Sequence, residues 1–532
     1  MIPKSEILRN APLLQVLLDY ANQERVSFHM PGHQDGNLLP RFISERLAEI
    51  DATELPVTAD LNDPEGAALS AMQLAAEAFQ AGETLFVTGG STTAIQAMIT
   101  AFCPRGSTIA MPRAVHRSIL NTAILLELKI IFLPAVDPFW PLSIAPIQPP
   151  EAVGLRKVLQ RYQDVRAVLV TSPDYFGTCP DLAALAAVSA EFGCPLLVDE
   201  AHGAHLSFAP EILPPAAMAA GASACVQSAH KTLPALTQGA YLHRNAKAVL
   251  AGTAGGRTWP DDGRLRQSLS LYQTSSPSLM IGATLDYVRS LLQAEGRQAI
   301  KQALTGIERF HSALSPVYRC SGTSRHLESD FVWRDPLRLV VDVMATGLTG
   351  FEVADQLTAQ GIDVEMADIR RLVLIPGIFR SEHDHLLRLA AKLNDIADKA
   401  ASTTNSDEIE RKAAENSLLD RKFYRSLQIA PAAFTYPALP FLQDQSSRLV
   451  ELVATEGRAA QKYQSTAEDQ IAAKNQVAAE ALIPYPPGIP LVWPGEKLGN
   501  RLALLRLLIE NGFGVHGVVK HGGNYCIRVV DS

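Results

Sequence analysis

A chain of 532 residues is too long for a single core, and its 47% hydrophobic content excludes a disordered polymer. With 47 Lys plus Arg against 55 Asp plus Glu and a net charge of −8, it lacks the basic surface that would draw it to nucleic acid or anionic lipid. No membrane span is expected, because the most apolar stretch, residues 208–226, carries Glu211 and three prolines. The first twenty residues hold Lys4, Glu6 and Arg9 and lack a small-residue cleavage site, unlike a secretory signal. Six scattered cysteines without a C-x-x-C pair support neither a zinc ribbon nor a disulfide framework. A cytoplasmic protein with reduced thiols is expected.

Residues 1–60 read as an arm: a helical opening, then SFHMPGHQDG (27–36), a loop by its Gly, Pro and His content. The large domain is expected over 61–280. Its predicted strands are TLFVT (84–88), STIAM (107–111), KIIFLPA (129–135), AVLVT (167–171), PLLVD (195–199), ACVQS (224–228) and AYLH (240–243). These are near-continuous apolar runs, as in strands covered on both faces, with helical stretches such as LAALAAVSAEF (182–192) between several of them. Crossovers of that kind favour a mostly parallel sheet in an α/β fold. A small α/β domain is expected over 281–400, with strands LRLVVDV (337–343), IDVEM (362–366) and RLVLIP (371–376). The polar stretch ASTTNSDEIERKAAENS (401–417) reads as a linker or exposed helix within a 401–424 connection. A C-terminal α+β domain is expected over 425–532.

The chemistry concentrates in SAHKT (228–232). Lys231 directly follows an apolar strand, and burying an ammonium is costly unless its pKa falls or the nitrogen becomes covalently bound. A lysine of depressed pKa is what imine formation with an aldehyde requires. Taken alone, Lys231 would pass for a surface residue after a strand. Asp199 closes PLLVD, and a carboxylate at the C-terminal end of a parallel strand faces the crevice where α/β sheets bind ligands. The bland alternative is a helix cap. In TGGSTTA (88–94), Gly90, Ser91 and Thr92 stand between a strand and a helix, where they can cradle a phosphate without a P-loop lysine. An ordinary capped turn would look the same. His116, just past STIAM, could stack on an aromatic cofactor or be structural. In DEAHGAH (199–205), Asp199, Glu200, His202 and His205 depart from the H-E-x-x-H zinc pattern, and no metal is expected.

A Gly-Ser-Thr turn, then a His, then D-x-A-H, then S-x-H-K, in this order, resembles the fold-type-I pyridoxal phosphate enzymes. HMPGHQDG (29–36) is similar to the H-x-P-G-H loop of the prokaryotic ornithine/lysine/arginine decarboxylases, and PYPPGIPLVWPGE (484–496) resembles their C-terminal-domain signature. The resemblance covers nearly the whole chain. It implies a transferase-like large domain, pyridoxal 5'-phosphate as cofactor, and decarboxylation of arginine, lysine or ornithine to CO2 and agmatine or a diamine, a step of polyamine biosynthesis. Lys231 would hold the cofactor aldehyde, with His230 beside it. Ser228, Gly90, Ser91 and Thr92 would hold the phosphate. Asp199 would pair with the ring nitrogen, His116 would stack over the ring, and Ala201 and His202 would flank it. YQTSSPS (272–278) resembles the strip that reaches the neighbouring subunit's phosphate, with Ser275 the candidate residue. A homodimer or higher even oligomer with shared active sites is therefore implied. The chain is expected to lack the large N-terminal wing domain of the family's long inducible members, and with it their decameric assembly.

Decarboxylation leaves a carbanion at Cα, and its barrier falls when that charge spreads through an imine into a protonated pyridine. The basic amino-acid substrate follows from the resemblance alone. Arginine is placed ahead of lysine and ornithine on the same resemblance; a site that grips the planar guanidinium fork bidentately should reject lysine more sharply than one tuned by length alone. Glu365 in DVEMAD is the candidate partner for the distal cation, with solvent exposure as its alternative, and His33 is a further substrate-binding candidate. The Pro-rich run is expected as an ordered loop near the site entrance. The competing readings are an aminotransferase or a C–C/β-eliminating lyase on the same fold. In an aminotransferase, Arg370, Arg371 or Arg380 would take the substrate carboxylate. A non-catalytic regulatory homologue would have no need of the lysine.

Overall fold

The computed structural model describes residues 10–134, 144–245, 262–322, 332–380, 384–428, 439, 446–454, 476–485, 487–521 and 523–531. The apolar runs of the large domain become β1 (Glu83–Val87), β2 (Thr108–Met111), β3 (Lys129–Phe132), β4 (Val165–Thr171), β5 (Leu196–Asp199), β6 (Ala224–Ser228) and β7 (Ala240–Arg244). They form one seven-stranded sheet in the order β1-β7-β6-β5-β4-β2-β3. β2 to β6 pair in parallel, while β7 is antiparallel to both β1 and β6. The run expected over 129–135 stops at Phe132, short of Pro134, and residue 135 lies outside the described residues.

The continuous hydrophobicity of these strands has a direct cause: each face has its own core. Along β5, Leu197 packs into one core with Ile95, Met98 and Ile119, whereas Leu196 and Val198 pack into the opposite one with Leu155, Leu185 and Val188. Alternate residues therefore serve different helical layers, and every position must be apolar until the strand ends at Asp199.

The helix Leu279–Leu291, a π turn at Leu292–Gly296 and the helix Arg297–Ala313 lead into the small domain. Its antiparallel sheet runs Arg319–Cys320, Leu339–Asp342, Arg371–Leu374, Met366–Ala367 across. The arm joins this domain, because Val26–Phe28 pairs in parallel with Ile362–Val364. The 401–424 stretch is helical: Ser406–Gln428 is one helix whose last turns bury Leu419, Asp420, Phe423, Tyr424 and Leu427. That end is a packed element, since Asp420 accepts from Arg371 Nη1 at 2.8 Å and from Nη2 at 2.9 Å. In the C-terminal domain, Ser447–Ala454, Asn524–Val530 and Val518–His521 form an antiparallel sheet in that order.

Candidate active site

The C-terminal ends of the parallel strands converge on one crevice, where such sheets bind ligands. Asp199 is the last residue of β5, and Ser228 is the last residue of β6. Lys231 lies on the single helical turn Ala229–Thr232 that follows β6. β1 feeds the helix Gly90–Phe102, whose first residue has φ +81°, a left-handed turn that suits glycine and points backbone N–H groups outward. Ser91 and Thr92 stand on its first turn. The Ser228 hydroxyl is fully buried and has no hydrogen-bond partner. Such an orphan beside a helix N-terminus fits an anionic ligand with acceptor oxygens, so these residues suit a phosphate group.

Asp199 is 3% exposed, and its Oδ1 accepts from Ala201 N at 3.2 Å. Burial pushes its carboxyl pKa up, while Lys231 and the Ala201 amide pull it back. Lys231 is pulled down by burial and by Arg338, against Asp199 and Glu365. Its Nζ lies 3.1 Å from His202 Nε2, and His202 Nδ1 lies 2.6 Å from Arg338 Nη2. Burial, Lys231 and Arg338 hold the His202 imidazole far below its ordinary range, so it is neutral. Tyr175 meets the His202 ring edge-on at 5.2 Å. His116 caps the helix Arg117–Leu125 by accepting from Ser118 N at 3.2 Å. Its ring stays reachable by solvent but is hemmed in by protein, and this enclosure with Lys231 and Arg117 lowers its pKa to about 4.

The arm loop closes over the lysine turn. Gly32 N donates to His230 O at 2.7 Å, and a Cβ on Gly32 would stand 2.5 Å from Leu233 O, so only glycine allows this approach. Burial takes the His230 pKa down to about 4, and its Nδ1 lies 3.2 Å from Gly239 O. His33 adds to that depression and is itself lowered by burial; its Nδ1 accepts from Gly36 N at 3.0 Å. Glu365 is half-buried, not solvent-exposed. It accepts from Tyr175 OH and, at 2.9 Å, from Met30 N. Beside it opens a cleft of about 600 Å³ lined by His29, Met30, Asp363, Glu365 and Tyr485. Tyr485 brings the Pro-rich run to this cleft.

The remaining candidates have other surroundings. In DEAHGAH, Glu200 accepts from Ala217 N and Gln227 Nε2, both at 2.7 Å, and His205 pairs with Asp335 at 3.2 Å. Ser275 is exposed on the single chain. Two arginines considered for a substrate carboxylate are committed to ion pairs: Arg370 to Asp342, and Arg371 to Asp368 and Asp420. Arg380 is half-buried near Asp35. Sequence reasoning missed Arg338, Tyr175 and Tyr485. A charged residue inside the apolar run LRLVVDV was the available signal for Arg338; Tyr485 lay in the Pro-rich run expected near the site entrance, and Tyr175 carried no signal.

A lysine and a buried carboxylate on adjacent strand ends of a mostly parallel sheet define an α/β enzyme with its active crevice at the strand termini. The profile for the Orn/Lys/Arg decarboxylase major domain matches residues 11–328, and that for the Orn/Lys/Arg decarboxylase C-terminal domain matches residues 441–531. The chain belongs to the Orn/Lys/Arg decarboxylase family and is an amino-acid decarboxylase. An arginine decarboxylase of Bacillus subtilis (strain 168) is 31% identical over 504 residues, covering 91% of this chain and 90% of that protein. Among solved structures, lysine decarboxylase A from Pseudomonas aeruginosa superposes with a TM-score of 0.72 at 20% identity, covering 98% of this chain and 80% of the other. The Francisella novicida lysine decarboxylase LdcF gives 0.69 at 19% identity, over 98% and 81%. Both confirm the fold. Among the described residues no helix is long and apolar enough to cross a membrane, and all six cysteines are free.

Proposed function

We propose that this chain is a pyridoxal 5'-phosphate-dependent decarboxylase of basic amino acids that takes arginine ahead of lysine and ornithine. The observation that carries the reading is the convergence of a lysine of lowered pKa, a buried carboxylate and an unpartnered buried hydroxyl on neighbouring strand ends. The cofactor, when bound, supplies a conjugated ring that accepts electrons from Cα. Gly90, Ser91, Thr92 and Ser228 hold its phosphate, and Lys231 holds its aldehyde. Asp199 would pair with its ring nitrogen and keep a proton there, which suits the ring to accept electrons. His116 would stack over the ring, and Ala201 and His202 would flank it. Because His116 and His202 are neutral, neither adds a positive charge that would compete with that proton.

Glu365 offers a carboxylate in the cleft at a place that a long cationic side chain can reach, and His33, on the arm loop that carries Met30, is the second substrate-binding candidate. A guanidinium can take both oxygens of a carboxylate, whereas an ammonium is a point charge. The arm loop and the Pro-rich run close over the site and keep water from the reacting carbon. The catalytic unit is a homodimer, in which Ser275 reaches the partner's phosphate site. Its exposure supports this, as does the arm helix Pro12–Ala21, which leaves Leu13 and Val16 uncovered. The deciding experiment measures kcat/KM for arginine, lysine and ornithine by released CO2, with 2-oxo acid formation followed in parallel. Oxo acid without CO2 would return the chain to the aminotransferase reading.

A further inference from the structure

Arg338 is 1% exposed, yet it makes no ion pair among the described residues. Its Nη2 meets His202 Nδ1, while Nε and Nη1 have no partner. Arg371, equally buried, is gripped by two carboxylates. A buried cation left so open is a poor stability device, because its desolvation is barely offset. Its one good bond points at the lysine.

That bond has a strict consequence. A guanidinium can only donate, so His202 Nδ1 accepts and the ring proton resides on Nε2. An Nε2–H facing Nζ at 3.1 Å can donate only to a lone pair, which a lysine offers only as the neutral amine. We propose that Arg338 is a positioning residue: by donating to Nδ1 it locks His202 as an Nε2–H donor aimed at the Lys231 nitrogen, and so keeps Lys231 in place as a neutral amine that can be released to an aldehyde cofactor. The edge-on contact of Tyr175 keeps the imidazole in that plane. Arg338 immediately precedes the small-domain strand Leu339–Asp342, so the small domain sets the state of a lysine carried by the large one. In the reaction this serves, the hydrogen bond from His202 Nε2–H gives way, the freed amine lone pair attacks the carbonyl carbon and a C=N bond forms. The carbonyl oxygen leaves as water with the two amine hydrogens, and no oxidant or reductant is consumed. The identity of the aldehyde rests on the function proposed above.

The test uses full-length apoprotein labelled with nitrogen-15 at histidine, with His202 assigned by its loss in His202→Phe. At neutral pH the wild-type spectrum should show His202 with Nδ1 unprotonated and Nε2 protonated. Arg338→Met should collapse that split towards an exchanging mixture, and Arg338→Lys should restore part of it. Uptake of added pyridoxal 5'-phosphate, followed by visible absorbance, should slow by roughly ten- to a hundredfold in Arg338→Met, the scale on which losing a histidine's orienting partner registers. A wild-type His202 protonated on Nδ1 overturns the proposal, and so does an Arg338→Met protein with unchanged spectrum and uptake. The wild-type spectrum decides even if Arg338→Met fails to fold. A wild-type protein that takes up no pyridoxal phosphate would instead overturn the functional reading, and the spectrum would still decide the role of Arg338.

Discussion

Arg113 of the large domain and Glu496 of the C-terminal domain meet in a two-pronged pair, Nη1 to Oε1 and Nη2 to Oε2, both at 2.7 Å, with side chains 0% and 6% exposed. The guanidinium also donates to Leu491 O at 3.0 Å and stands over the rings of Phe132 and Trp493. Glu496 ends the Pro-rich signature, and Arg113 lies just before the crevice residue His116. The C-terminal domain thus braces the strand end from which His116 projects.

Removing Glu496 leaves Arg113 as an uncompensated buried charge, whereas removing Arg113 leaves Glu496 the 3.7 Å contact of Arg501. Glu496→Leu should therefore cost about 3–5 kcal/mol of stability, whereas an Arg113→Met/Glu496→Leu double variant should recover much of that loss. Urea unfolding monitored by tryptophan fluorescence measures both. Equal losses in the single and double variants would show that packing, not charge, sets the cost.

Lys231→Ala should bind no cofactor covalently and lose CO2 release. Borohydride reduction of the wild-type holoenzyme, followed by peptide mapping, should place the cofactor on Lys231. A tag on any other lysine would refute the assignment.

Asp199→Ala should lower kcat by about a hundredfold or more with little change in KM, because a charge that acts as the carbanion develops contributes little to ground-state binding. Steady-state kinetics at saturating cofactor separates the two parameters. Turnover near wild type would remove the electron-acceptor argument.

Glu365→Gln should raise KM for arginine about tenfold with a smaller effect on kcat, as expected when a contact far from the reacting carbon is weakened. Stopped CO2 assays over an arginine series would show it. A pure kcat effect would place Glu365 near the reacting bond.

Glu200 makes a prediction of definite sign. Burial raises its pKa from the ordinary 4.5 to about 8. The folded chain therefore keeps a proton that the unfolded chain has lost, and this stabilisation is fully present below the unfolded value and disappears as pH rises through about 8. His243 has the opposite sign: burial lowers it from 6.5 to about 3, so its contribution is lost as pH falls below 6.5. Between pH 6.5 and 8.5, wild-type Tm should fall relative to Glu200→Gln, with His243 silent in that window. Parallel thermal melts test this; curves that do not diverge would mean that Glu200 is ionised in the folded protein.

The strands and the two principal site residues were legible because their signals are local. An apolar run that must serve two helical layers and then ends in Asp199, or is followed within a turn by Lys231, announces itself within a few residues. The end of the 406–428 helix carried a signal too, since Leu419, Phe423 and Leu427 recur at helical spacing, but the polar run ahead of them masked it. What no stretch of sequence could decide was which buried charges meet. His202 and Arg338 are 136 positions apart, Arg113 and Glu496 are 383 apart, and even the apolar run around Arg338 names no partner for it. Desolvating a guanidinium is tolerated only where packing delivers a particular acceptor, so the same residue type became a structural clamp at 113 and 371 and, at 338, a donor to His202 without a carboxylate partner. The sequence determined the fold class and the placement of Lys231 and Asp199 at strand ends; tertiary packing alone decided the protonation pattern around them, because that pattern depends on long-range neighbours and on the water they exclude.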